Sequence, residues 1–193
     1  MLAIVTLLCC LLTTVLSCAR DSQHQRVITV AVASSLLPLV EEMRSDIENE
    51  IDATLTVISG ASGVLAEQIR HAAPVDVFLS ADERFTSLLA EENLIDRVSL
   101  NHLANGKLVA ITHNSALSKL QAEDAVLRPV VRHVALANPD LAPYGAAALA
   151  YLQRTEVWPS IASKAVYGEN VAQALQFVES ENAQIGFVPL SLV

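Results

Sequence analysis

The sequence predicts an α/β fold of two lobes, each a mainly parallel sheet with helices on both faces. Three observations lead there. Short apolar runs rich in β-branched residues alternate with stretches whose apolar residues recur at helical spacing. Run and helix meet at tight turns of small residues. The alternation pauses at 101–105 and then resumes, which divides the chain into similar halves. Composition agrees: 193 residues, 52% hydrophobic and 17% charged, hold one or two small domains with a sizeable core.

The N-terminus stands apart from this pattern. Residues 2–17 form an uncharged apolar run, short for a membrane-spanning helix and fitting the apolar core of a secretory signal. No Lys or Arg precedes it. Val15-Leu16-Ser17-Cys18 resembles a bacterial lipoprotein signal, with Cys18 as the acylated residue and the point of membrane attachment. Ordinary signal cleavage between Ser17 and Ala19 is the other reading. All three cysteines, Cys9, Cys10 and Cys18, lie here, so the body carries no disulfide, cysteine metal site or thiol nucleophile. Residues 1–18 are thus a signal segment and 19–26 a polar tether.

The first lobe is expected over 27–103. Its strands are 27–33, 54–58 and 75–79. A helix over 35–48 has Pro38 in its first turn, where proline is tolerated, and Leu39, Met43, Ile47 and Ile51 as its inward face. A second helix covers 62–72 with Ser62 as N-cap and Leu65, Ile69 and Ala72 in phase. Asp82 caps a third, with Leu88, Leu89 and Leu94 inside.

The second lobe is expected over 104–188. Gly106 precedes a strand at 107–112, a short helix lies near 115–120, and a strand runs over 133–137. Asn138-Pro139 makes a turn, and Pro143-Tyr144-Gly145 opens an alanine-rich helix to about Arg154. A helical piece at 158–162, a strand at 164–167, a helix from Val171 to Glu179 and a strand at 184–188 complete it. Residues 189–193 read as the start of a crossover back to the first lobe, cut short.

The chemistry concentrates at four strand-to-helix turns: Ala33-Ser34-Ser35, Gly60-Ala61-Ser62-Gly63, Pro143-Tyr144-Gly145 and Gly168-Glu169-Asn170-Val171. In open α/β sheets ligands bind beyond the carboxyl ends of the strands. A helix start offers unpaired N–H groups and a partial positive charge, so it binds anions without Lys or Arg. Two turns from each lobe facing one another would surround a small oxyanion. The net charge of -9 argues against nucleic acid, whose phosphates need basic surface.

At these motifs the chain resembles the periplasmic molybdate-binding proteins, the substrate-binding components of molybdate ABC transporters. The matching stretches are 28–36, Gly60-Ala61-Ser62-Gly63 with 65–69, Ala73-Pro74-Val75-Asp76-Val77-Phe78-Leu79-Ser80-Ala81-Asp82, Ala137-Asn138-Pro139-Asp140 with Pro143-Tyr144-Gly145, and Gly168-Glu169-Asn170-Val171 with Ala174-Leu175. They cover about 27–190 in order. The resemblance implies a type II periplasmic-binding-protein fold and a monomer that closes at a hinge near 101–106 and 186–190. It implies molybdate or tungstate bound by neutral donors alone, no cofactor, no direct metal ligand, and delivery to a membrane permease outside the cytoplasm. It places the anion on Ser35, Ser62, Tyr144 and Val171, with Ser34, Gly63, Pro189 and Ser191 as further candidates. Two departures stand out. Pro189 occupies the position of a frequent family tyrosine and has neither hydroxyl nor N–H, so Ser191 is the candidate replacement. The family also continues past 193 with a crossover, a strand and closing helices, so the C-terminal part of the fold is expected to be missing and a non-functional truncated relative stays among the readings.

Other classes fit less well. Gly60-Ala61-Ser62-Gly63-Val64 is no nucleophile elbow, because its second glycine falls one place early. The five histidines lack ligand spacing, and no Walker or dinucleotide motif occurs, so an enzyme is not expected. A carrier of sulfate, thiosulfate or phosphate remains the alternative, although phosphate sites usually add an acceptor for the remaining proton. The effector domain of a transcription regulator fits poorly with a secretory start.

Overall fold

The computed structural model describes residues 26–193. The signal segment and Cys18 lie outside the described residues, as does all of the tether but Arg26.

Two sheets form. In the first, β1 (Arg26–Ala33) lies between β2 (Ala53–Gly60) and β3 (Val77–Leu79), parallel to both. As the central strand, β1 has Val30 to Ala33 buried on both faces, the pattern of a parallel interior strand. Asp76 fastens the β3 end: its carboxylate accepts the Thr29 N–H at 2.8 Å and its own N–H donates to the Thr29 carbonyl at 2.9 Å. The helices are α1 (Leu37–Ile51), α2 (Ser62–Arg70) and α3 (Glu83–Glu91).

The second sheet has the order β4-β7-β5-β6, with β4 (Leu108–Ile111), β5 (Val134–Ala137), β6 (Ala165–Gly168) and β7 (Ile185–Pro189). β5 is parallel to β6 and β7, whereas β4 runs antiparallel to β7. Its helices are α4 (Ala122–Val126), α5 (Pro143–Arg154), α6 (Trp158–Ile161) and α7 (Val171–Glu179). The larger core lies on one face, where Val134, Leu136 and Phe187 meet Leu152 and Ile161. On the other face α7 lays Ala174 and Val178 over Ala135 and Val188. Residues 101–107, without regular structure, link the two sheets.

Three local expectations are corrected. The inward face of α1 is Leu36, Val40 and Ile47, which pack on Val30, Val32 and Leu55, while Leu39, Met43 and Ile51 are exposed. Arg44 also leans toward the sheet, donating to the Leu55 carbonyl at 2.7 Å while paired with Glu41. On α3, Phe85 and Leu89 are buried, whereas Leu88 and Leu94 are exposed. Residues 115–119 form turns, and the helix of this region is α4.

Candidate functional site

The site is built at strand ends that match in pairs. Ala33 of β1 lies opposite Gly60 of β2, and Ala137 of β5 opposite Gly168 of β6. The chain leaves each pair in the same way: Ser34 N–H donates to the Gly60 carbonyl at 3.0 Å, and Asn138 N–H to the Gly168 carbonyl at 2.8 Å. Helices α1, α2, α5 and α7 start just beyond. Gly145 lets α5 come this close, because a Cβ there would lie 2.2 Å from the Ala137 carbonyl oxygen.

The four helix starts border a half-open cavity of about 10 Å³ lined by residues of both lobes, including Ser34, Ser35, Ser62, Ala81, Tyr144, Asn170 and Val171. Ser35, Ser62 and Val171 are 3%, 1% and 5% exposed, and Tyr144 is half-buried. Among the described residues, no protein acceptor takes the N–H of Ser35, Ser62, Tyr144 or Val171. The first N–H groups of a helix have no partner within it, and three of these four sit on buried residues, so the cavity is a place where an acceptor, water or ligand, belongs.

The side chains sharpen this. Ser62 is the first helical residue, with Ala61 at the N-cap position, so it is not the cap that spacing suggests. Its Oγ accepts the Ala81 N–H at 3.0 Å, which leaves its own proton to donate elsewhere. The Ser35 hydroxyl has no protein partner among the described residues, while its carbonyl accepts from Ser191 Oγ at 2.7 Å. Asn170 caps α7 by accepting from the Ala172 and Gln173 N–H groups at 3.0 and 3.1 Å. Its acceptor oxygen is therefore occupied and its amide hydrogens remain. Asn170 and Ala81 also line the cavity, and neither is among the residues expected from the sequence, although both lie inside the motifs 168–171 and 73–82.

Four further candidates divide. Ser34 lines the cavity; its N–H is bonded to Gly60, and its hydroxyl accepts from Ser59 at 3.4 Å, which leaves the hydroxyl proton as its only free donor. Gly63, Pro189 and Ser191 do not line the cavity. The Gly63 N–H donates to the Leu141 carbonyl at 2.8 Å, and Ser191 spends its proton on Ser35.

No charged side chain lines the cavity, so backbone dipoles at the helix starts are the source of any attraction for an anion. Asp82, just past Ala81, has one buried oxygen without a partner. Burial pushes its carboxyl above the usual carboxylate range, against the pull of Arg84 at 3.9 Å. Burial likewise raises Tyr144, whose hydroxyl hangs over Gly106. Among the described residues no three His, Cys, Asp or Glu side chains gather to hold a metal ion.

Comparison with known proteins gives this geometry a context. The family model for bacterial extracellular solute-binding proteins matches residues 28–193. The molybdate-binding protein ModA of Rhodobacter capsulatus is 35% identical over 166 residues, covering 86% of this chain and 65% of that protein. ModA of Azotobacter vinelandii is 34% identical over 179 residues, covering 92% of this chain and 69% of that protein. The solved structure of the periplasmic molybdate-binding protein of Azotobacter vinelandii superposes with a TM-score of 0.78 at 30% identity, over 84% of this chain and 71% of that one. The chain thus spans about two thirds of the length of these relatives. With the family match running from β1 to the last residue, and the same fold in a relative of clear sequence identity, the chain belongs to the bacterial extracellular solute-binding proteins.

Proposed function

We propose that this chain binds molybdate or tungstate between its lobes, outside the cytoplasm, and hands it to an ABC importer permease. The observation that carries the reading is the set of four N–H groups without protein acceptors, at four strand-to-helix turns whose residues line one uncharged cavity. The names of the relatives narrow the class of oxyanion. The donors are the N–H groups of Ser35, Ser62, Tyr144 and Val171 and the hydroxyls of Ser35 and Ser62. At about 1.5–3 kcal/mol for each bond to a charged acceptor, they supply about 9–18 kcal/mol. Association takes back about 4–15 kcal/mol, and a net of about 8 kcal/mol corresponds to micromolar affinity.

A cavity with donors and no lining carboxylate suits an anion that carries no proton. The Asn170 oxygen already accepts two N–H groups, so a protonated phosphate finds no free carboxamide acceptor there. Closure of the lobes over the dianion forms the surface that docks on the permease, and the ligand favours that state by its differential affinity for it. Attachment of a monomer to the membrane through Cys18 belongs to the same reading.

Calorimetric titration of the protein with molybdate, tungstate and sulfate tests it. Saturable one-to-one binding of molybdate and tungstate, with sulfate much weaker, is expected. Folded protein silent to molybdate and tungstate refutes the reading, and tight sulfate binding replaces it with a sulfate carrier.

A further inference from the structure

Gly63 makes a contact that anion binding does not use. It is the second residue of α2, in the first lobe, and its N–H donates at 2.8 Å to the carbonyl of Leu141, on the turn before α5 in the second lobe. Neither residue lines the anion cavity. The seat is shaped for a residue without a side chain: a Cβ on Gly63 would lie 3.0 Å from the Leu141 oxygen and 2.9 Å from the ring of Phe85. Phe85 carries the Arg84 guanidinium 4.2 Å above its ring centre, and Arg84 reaches across to the Asp140 carbonyl at 3.3 Å. Ala61 and Val64 on one side pack with Leu141, Ala142 and Val171 on the other as one apolar cluster.

We infer that Gly63 and the 138–142 turn form a latch that holds the lobes together through the protein's own groups. Every member of the latch is a protein atom, so its free energy is available with or without an anion. It therefore sets the fraction of molecules already closed, and apparent affinity scales with that fraction. A contact that touches no ligand then governs how tightly every ligand binds, without changing which ligand is preferred. Gly63 is in this sense a positioning residue. The inference on affinity rests on the oxyanion reading above, whereas the latch itself does not.

The test uses the full chain and two variants. Gly63→Ala puts a methyl group into the seat; the helix itself tolerates alanine better than glycine, so loss of fold is not the expected outcome. Arg84→Ala removes an exposed side chain together with its bond to Asp140, its place over Phe85 and its charge beside Asp82. Amide exchange followed by NMR on the anion-free protein reads the latch directly. The Gly63 amide is expected to be protected, whereas the Ser62 and Val171 amides, lacking acceptors, exchange faster. Gly63→Ala is expected to weaken molybdate and tungstate by the same factor, about tenfold for one lost bond and a displaced neighbour, with their ratio unchanged. Arg84→Ala is expected to move both in the same direction by less. A Gly63 amide that exchanges as fast as that of Val171 overturns the inference. So does a Gly63→Ala protein with unaltered affinities or an altered molybdate-to-tungstate ratio. A protected Gly63 in a protein silent to oxyanions upholds the latch and removes the oxyanion reading instead.

Discussion

Replacing Ser62 and Ser35 by alanine separates two jobs that serine performs at this site. Ser62 Oγ accepts the Ala81 N–H at 3.0 Å and keeps its own proton, which the proposed reading gives to the anion. Ser62→Ala therefore strands the Ala81 N–H, a loss of about 1–3 kcal/mol in the anion-free protein, and also deletes one anion bond. Ser35 Oγ has no protein partner among the described residues, so Ser35→Ala deletes an anion bond and little else. One bond to a charged acceptor, about 1.5–3 kcal/mol, corresponds to about 12- to 150-fold in affinity. The account predicts that both variants lose affinity in that range by calorimetry. Ser62→Ala alone should also lower the urea midpoint of the anion-free protein, by about 0.3–3 M for that loss and a slope of about 1–3 kcal/mol/M. Equal destabilisation by both variants, or an affinity that Ser62→Ala leaves intact, would refute the reasoning.

Other perturbations address separate parts of the site. Val171→Pro should remove one N–H donor without disturbing the backbone: proline is favoured at the first helical position, and Asn170 before it is already extended at φ -147 and ψ 179. It also replaces a buried side chain, so Val171→Ala, which keeps the N–H, is the control, and molybdate affinity should fall about 12- to 150-fold further in Val171→Pro than in Val171→Ala. Gly145→Ala should destabilise by more than about 3 kcal/mol, because the new Cβ meets the Ala137 carbonyl rather than a mobile side chain. Stability should also fall at alkaline pH. Burial and the Glu123 carboxylate push Tyr151 up to about 12, whereas an unfolded tyrosine loses its proton near 10. Unfolded chains therefore bind fewer protons than native ones between about pH 10 and 12, and the stabilisation present below pH 10 is lost across that window. Tyr151→Phe should flatten the fall, as read by urea unfolding at a series of pH values.

The alternation of strand and helix was legible because each strand is a short apolar run and each turn carries small residues. The four turns were legible for the same reason, and Ser35, Ser62, Tyr144 and Val171 all line one cavity. Which stripe of α1 faces the sheet was not legible. Two apolar stripes run along that helix, and the inward one contains Arg44, whose charge disguises it until its bond to the Leu55 carbonyl is seen. Ser62 looked like a cap because a serine before an apolar helix usually is one, but the Ala81 N–H reaches its oxygen from a distant turn. Gly63 looked like another donor to the anion, and its partner Leu141 belongs to the other half of the chain. Helix α4 escaped notice because it is only five residues long and its N-cap residue, Gln121, makes no side-chain cap bond. For Arg44, Ser62 and Gly63 the deciding contact lies between separate segments of the chain, where periodicity and spacing carry no information.

The most direct measurement follows the backbone amide resonances of Ser35, Ser62, Tyr144 and Val171 by NMR as molybdate is added to the protein. The account predicts that all four shift together, saturate at one equivalent and become protected from exchange, whereas Gly63, already bonded to Leu141, changes little. Molybdate bound with these four amides unmoved would contradict it.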